Sequence, residues 1–342
     1  MTAVPDRPAD DLRTLPKVEL HVHLEGSMSP PTIGALAARH HADTSVIWPD
    51  GLPERFTFDG FPDFARQFWF GLRLLRTGDD LVTAIMALGA DLAANNVRYA
   101  EVTSTAFTHL HAGMAPADYG RALTVGRQRV RAEHGVALSW VIDIPRDLEP
   151  TDSDVTIGFL ESGDVPDGVV AIGLGGYEVG FPPEPYAAQF ARARALGLHS
   201  VPHAGETGGA ASIVGALDAL GAERIGHGVR CLEDTELVAR LRDTAVMLEV
   251  CPTSNVLLHV VDRPEDHPLT ALRDAGLRVC LNTDDPGMFA TDLTTELAIA
   301  QRYHGLDLRG LRALQLDALD ASFAPVDVRR AVRDELDVVA YP

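Results

Sequence analysis

The stretch KVELHVHLEGS, residues 17–27, alternates without a break. Leu20, Val22 and Leu24 hold one parity, and Glu19, His21, His23 and Glu25 hold the other. Alternate side chains of a strand point to opposite faces, so this period predicts a strand over residues 18–24 with two imidazoles flanked by two acids on one face. Further short β-branched or apolar runs follow at 97–103, 137–144, 169–174, 200–203, 224–226, 246–250 and 277–281. Between them the apolar period lengthens to that of amphipathic helices, at 81–95, 187–195, 212–220, 234–242 and 268–275. Gly197, Gly221 and Gly276 close three of these, as glycines do at helix C-termini. Strands alternating with helices predict a parallel sheet, and eight strands are the number that closes a (β/α)8 barrel. The competing arrangement is an open doubly wound sheet. No Gly-x-Gly-x-x-Gly follows an early strand, however, and polar residues collect at strand ends along the whole chain.

The fold class expected is therefore α/β, a (β/α)8 TIM barrel forming one domain over residues 1–342, with a tail at about 1–14. Extra helices are expected in two places. Ser29-Pro30-Pro31 is a good helix start and opens a helical insert over about 29–78. That insert carries Phe58, Phe61, Phe64, Phe68, Trp69 and Phe70, which read either as core beneath the barrel rim or as an apolar lid over a planar ligand. Residues 308–340 read as closing helices.

Composition narrows the partners. Hydrophobic residues make up 46% of the 342 residues and charged residues 23%, enough for a full core, and the formal charge is −20. Such acidity repels nucleic acid and anionic membranes alike. No apolar run approaches ~18 residues, and the first 16 are polar and acidic, so neither a membrane span nor a signal peptide is expected. Cys231, Cys251 and Cys280 are scattered without metal or disulfide spacing, which fits a cytoplasmic protein. A homo-oligomer is compatible with the sequence, which sets no oligomeric state.

The residues at strand ends carry the chemistry. His21 and His23 close the first strand, GLGGYE (173–178) follows the fourth, and HAGE with His203 and Glu206 ends the fifth. GHG with His227 ends the sixth, EVCPTSN (249–255) the seventh, and NTDDP with Asp284 and Asp285 the eighth. Each has a structural reading by itself: a capped turn for His227, an N-cap for the aspartates, a partner for a buried histidine for Glu249. In a barrel all of them converge at the C-terminal mouth. Three imidazoles and one carboxylate (His21, His23, His203, Asp284) form an N/O set suited to Zn2+ with room for a water. A metal brings the pKa of such a water down toward ~7. His227 and Glu206 are then left for proton handling. A carboxylated lysine bridging two metals is not available, because the single lysine is Lys17 at the start of the first strand. One Zn2+ per chain is expected.

LPKVELHVHLEGS, HAGE, RIGHG, EVCPTSN and NTDDP, in this order between residues 15 and 286, closely resemble the adenosine deaminase family of the amidohydrolase superfamily. The resemblance implies a zinc-dependent barrel that hydrolyses the 6-amino group of a small-molecule purine and releases ammonia. It implies zinc ligation by His21, His23, His203 and Asp284, and protonation of purine N1 by Glu206. It further implies a base that orients and deprotonates the water at His227, a contact to N7 from Asp285, and a backbone contact to N3 from Gly176.

Departures from the family pattern concern the substrate. Glu25 stands where many adenosine enzymes have Asp, near the expected ribose 5′ side at the mouth. GLGGYE replaces DLAGDE, and EVTSTAF (101–107) replaces EVRYSP. EVGFPP, RCLED and CPTSNV are more similar to bacterial adenine deaminases and adenosine-deaminase-like enzymes, but GGYE stands where the adenine enzymes show DSSE. The reading is a 6-aminopurine nucleoside, adenosine or a 5′-modified one such as 6-aminodeoxyfutalosine, with free adenine as the alternative.

Overall fold

The structure, a computed structural model, describes residues 10–59, 61–148 and 150–339. Among the described residues nine short strands make the barrel wall: β1 (Lys17–His23), β2 (Val97–Ser104), β3 (Ala137–Pro145), β4 (Val169–Gly175), β5 (His199–Ser200), β6 (His203–Ala204), β7 (Arg224–His227), β8 (Met247–Val250) and β9 (Arg278–Leu281). All neighbours are parallel, in the orders β1 to β5 and β6 to β9. The run expected at 200–203 is divided into β5 and β6. Pro202 has no N–H to give the ladder, and only its carbonyl pairs, with the amide of Gly226. Taken together β5 and β6 are one stave, so the staves number eight. The ring closes where Val22 bridges Asp284: the amide of His23 donates to the Asp284 carbonyl at 2.7 Å, and that of Asp284 to the His21 carbonyl at 3.1 Å.

The strands are buried on both sides. Outward positions such as Leu20, Val22, Val102, Trp140 and Ile142 pack against the surrounding helices in one large apolar core. Inward positions form layers. Val141, Ala171 and Val201 make a small apolar patch. Beside it Arg224, Glu101 and Glu249 form a buried ionic layer, with Arg224 Nε 2.6 Å from Glu249 Oε1 and the same guanidinium bonded to Glu101. Lys17 closes the bottom of the barrel: its ammonium donates to the carbonyls of Leu15 and Asn95, and burial brings its pKa down to about 7.

Residues 10–14 of the expected tail form a short helix, while residues 1–9 lie outside the described residues. The insert contains helices at Pro30–Arg39 and Phe61–Leu72. Its aromatics pack mainly as core at the rim: Phe64 stacks on Phe289, 5.3 Å between ring centres, and Phe58 meets the same ring edge-on. The Phe61 side chain lies outside the described residues. Trp69 is 47% exposed and faces a cavity. Helices Leu308–Ala321 and Val326–Asp337 occupy the expected closing positions. None of the described helices is long and apolar enough to cross a membrane.

Candidate metal centre and active site

β1 delivers His21 and His23 to the mouth on one face, β6 delivers His203, and the turn after β9 delivers Asp284. Nε2 of His21 and Nε2 of His23 each lie 3.4 Å from Asp284 Oδ1, and Nε2 of His23 lies 3.1 Å from Nε2 of His203. One donor atom from each of the four residues fits within 4.8 Å of all the others. His21 Nε2 is buried and makes no hydrogen bond among the described residues. Nitrogen lone pairs and a carboxylate crowded this closely call for a cation between them, and the donors suit a divalent one. His21, His227, Cys251 and Asp284 form an overlapping group. Burial pushes the Cys251 thiol up, so it keeps its proton and makes a poor ligand.

Glu249 Oε2 accepts from His21 Nδ1 at 3.0 Å, which turns Nε2 toward the other donors. Burial opposes charge on His21, but Asp284 and Glu249 outweigh it and raise the pKa to about 10. Ser254 Oγ donates to Asp284 Oδ2 at 2.7 Å and fixes the carboxylate plane. Glu19, one pleat before His21, accepts from the amide and hydroxyl of Thr283 and anchors the turn that carries Asp284.

Glu206 lies across the mouth. Burial first, and the charge of Asp284 second, raise its carboxyl to about 8, and its Oε1 is buried with no partner among the described residues. Its backbone is held by Glu178, whose carboxylate accepts the amides of Gly205, Glu206, Thr207 and Gly208 at 2.5 to 3.0 Å. Burial opposes ionisation of Glu178, yet these bonds keep its pKa below the usual carboxylate value. His227 is 1% exposed, with Nε2 3.8 Å from Glu206 Oε2 and 3.9 Å from Asp284 Oδ2, and burial lowers its pKa to about 4. Burial and the neighbouring Asp284 charge raise the Asp285 carboxyl well above the usual range. Gly176 has φ +92°, a value suited to glycine, and an added Cβ would lie 2.8 Å from Asp147 Oδ1.

Glu25 differs from expectation. β1 ends at His23, and Glu25 begins a short 3-10 turn (Glu25–Ser27), so it leaves the strand parity. It is not open at the mouth but 3% exposed, with Oε1 accepting from Ser104 Oγ at 2.8 Å and the Thr105 amide at 3.2 Å and lying 2.9 Å from His109 Nε2. Its Oε2 is buried without a partner among the described residues. Sequence reasoning gave no role to Glu178, Ser254, Asn255, His109 or Asp143. Asp143 was detectable, being the lone polar residue of the strand run WVIDI. It shares the inward parity of Val141, and burial raises its carboxyl to about 7.

The adenosine deaminase family profile matches residues 16–339. The chain belongs to the adenosine deaminase family. Within that family it is 40% identical over 338 residues to the aminodeoxyfutalosine deaminase of Streptomyces coelicolor, covering 97% of this chain and 87% of the relative. The solved adenine deaminase from Arthrobacter aurescens superposes with a TM-score of 0.87 at 30% identity, covering 94% of this chain and 98% of that one. An amidohydrolase from Burkholderia ambifaria, solved with bound Zn, gives 0.84 at 26% identity over 96% and 92% of the two chains. The protein is thus a hydrolytic enzyme acting on C–N bonds, as the motifs of this family imply, with a divalent metal supported by its donor set.

Proposed function

We propose that this deaminase uses one Zn2+ and acts on a 6-aminopurine nucleoside extended at its 5′ position. The observation that carries the reading is the convergence of His21, His23, His203 and Asp284 with the raised carboxyl of Glu206 in one buried mouth. Zn2+ held by those four residues would lower the pKa of a water and stabilise charge developing on its oxygen. The other steps fall to the protein. Glu206, protonated near neutrality, donates to purine N1 and makes C6 electron-poor, so that the tetrahedral carbon forms without full negative charge on nitrogen. The Asp285 carboxyl meets N7, and the Gly176 backbone meets N3. Water is excluded by the depth of the site, where His21, His227 and Asp284 are all buried.

The 5′ extension is supported by a cavity of about 690 Å3 between the end of the insert helix and the β2 and β3 loops. Trp69, Phe107, Met114 and Leu148 line it, with Arg73 and Arg76 also on its wall. Two further lining residues touch the substrate positions: His109 bonds Glu25, and Asp147 abuts Gly176. Glu25 Oε2 is left to accept from a sugar hydroxyl, and an apolar or aromatic substituent would run past it into the cavity, with the arginines available to an acidic end. Free adenine is the second reading, supported by the likeness to adenine deaminases.

The test is kcat/KM of the zinc-loaded enzyme on aminodeoxyfutalosine, adenosine and adenine. The extended nucleoside should lead, and the double variant Trp69→Ala/Arg73→Ala should lower its kcat/KM by about tenfold or more while leaving adenine unchanged. Equal losses on all three substrates, or adenine leading in the wild type, would contradict the assignment.

A further inference from the structure

A neutral imidazole carries its proton on one nitrogen, and in His227 the choice decides whether Nε2 donates to the reacting centre or accepts from it. The structure makes that choice through a chain of three hydrogen bonds leading away from the mouth. At its far end the backbone amide of Leu269 lies 3.2 Å from Nδ1 of His267. A backbone N–H can only donate, so His267 Nδ1 is bare and its proton sits on Nε2. That Nε2 is 3.2 Å from Oδ1 of Asn255, to which it donates. The carboxamide is thereby oriented, oxygen toward His267 and NH2 toward His227, where Nδ2 lies 3.3 Å from Nδ1. An NH2 group donates, so His227 Nδ1 accepts and the ring proton is on Nε2.

The surroundings keep this polarity. Asn255 is wholly buried, and its backbone carbonyl accepts the amides of Val260 and Val261. His267 is 3% exposed, and burial lowers its pKa to about 3, so it stays neutral with a single ring proton. Its other titratable neighbour, His304, is turned to the Pro264 carbonyl and Thr270. His227 itself has φ +61° between two glycines, an uncommon backbone for histidine that aims the ring inward.

We propose that Asn255 and His267 are positioning residues that hold His227 in the tautomer with its proton on Nε2, facing the attacking water. In that tautomer His227 has no lone pair toward the mouth. It faces the reacting centre as a hydrogen-bond donor, with Nε2 3.8 Å from Glu206 Oε2 and 3.9 Å from Asp284 Oδ2. The base role that the family resemblance implies for His227 is then closed to it in this tautomer, and orienting the water remains. The inference rests on the deaminase reading of this site, but the tautomer is measurable without turnover.

Two-bond 1H–15N correlation spectra of zinc-loaded, 15N-histidine-labelled protein distinguish protonated from bare ring nitrogens, with His227 assigned by comparison with His227→Gln. The expected wild-type pattern is bare Nδ1 and protonated Nε2. In Asn255→Asp a carboxylate faces Nδ1, so the proton should move there, and kcat should fall about tenfold or more with KM little changed. His267→Gln keeps an N–H donor to Asn255 and should retain the wild-type pattern, whereas His267→Leu should lose it. The wild-type spectrum decides even if a variant fails to fold. Protonated Nδ1 in the wild type, an unchanged pattern in Asn255→Asp, or a reversed pattern with full kcat would overturn the proposal. Loss of deamination with the expected wild-type tautomer would contradict the function and leave the relay standing.

Discussion

Gly226 lies one residue before His227 on β7, and the space it leaves is occupied by the metal centre. A Cβ there would stand 2.8 Å from Cε1 of His21 and 3.2 Å from the Cα of His203. The second contact is backbone within a paired strand, so the imidazole of His21 would have to give way. Gly226→Ala should therefore weaken metal binding by about tenfold to a hundredfold, as disturbance of outer-shell groups does. Competition with a chelator measures this, and unchanged affinity would show that the centre tolerates the displacement. At this scale the sequence exposed the ligands, because alternation places His21 and His23 on one face and ligation needs particular side-chain types. It did not expose Glu178 or Asn255. Glu178 acts on backbone amides, and Asn255 acts on the tautomer of another residue, so neither leaves a spacing pattern. Glu25 was visible but its buried setting was not, since a two-residue period stops applying once the strand ends at His23.

At the level of elements, the barrel ends its sixth and eighth staves with residues in left-handed backbone, His227 at φ +61° and Asp284 at φ +65°. Each such non-glycine residue costs about 1–3 kcal/mol and persists only when neighbouring structure imposes it. For Asp284 that structure is the closing bridge to β1, and for His227 the paired Gly226 and the relay behind its ring. The helix Pro252–Leu257, which carries Ser254 and Asn255, is tied to the helix Leu293–His304 by Glu296, whose carboxylate accepts the Thr253 amide at 3.1 Å and the Thr291 hydroxyl. Burial raises Glu296 from 4.5 to about 7. Between those two values the folded chain holds a proton that the unfolded chain has released, so this group's contribution to stability falls as pH rises through the window and stays low above about 7. Glu296→Gln removes the titration. The stability of wild type relative to the variant should drop by about 2 to 3 kcal/mol between pH 5 and pH 8, read from urea unfolding. A pH-independent difference would contradict the buried, protonated state. The strand–helix alternation that frames these elements was legible, but the break at Pro202 was not separable from a continuous strand by apolar content alone.

At the level of the molecule, eight staves closed by the Val22–Asp284 bridge bring residues from positions 21 to 285 to one mouth, and the apolar core outside the wall leaves the inside free for polar layers. Barrel and mouth could be read from the order of the motifs. The 5′ cavity could not, because it is formed by three segments (residues 69–76, 107–114, and 145–148 with Asp152) that meet only in the folded chain. The central claim is that this mouth deaminates a 6-aminopurine with Glu206 as the proton donor to the ring. Ammonia release from a 6-aminopurine nucleoside by zinc-loaded wild type and by Glu206→Gln, each with its zinc content determined, tests it most directly. The account predicts turnover by the wild type and a loss of about a hundredfold or more in the variant at equal zinc content. No ammonia from the wild type on any of the three substrates, or full activity in Glu206→Gln, would contradict it.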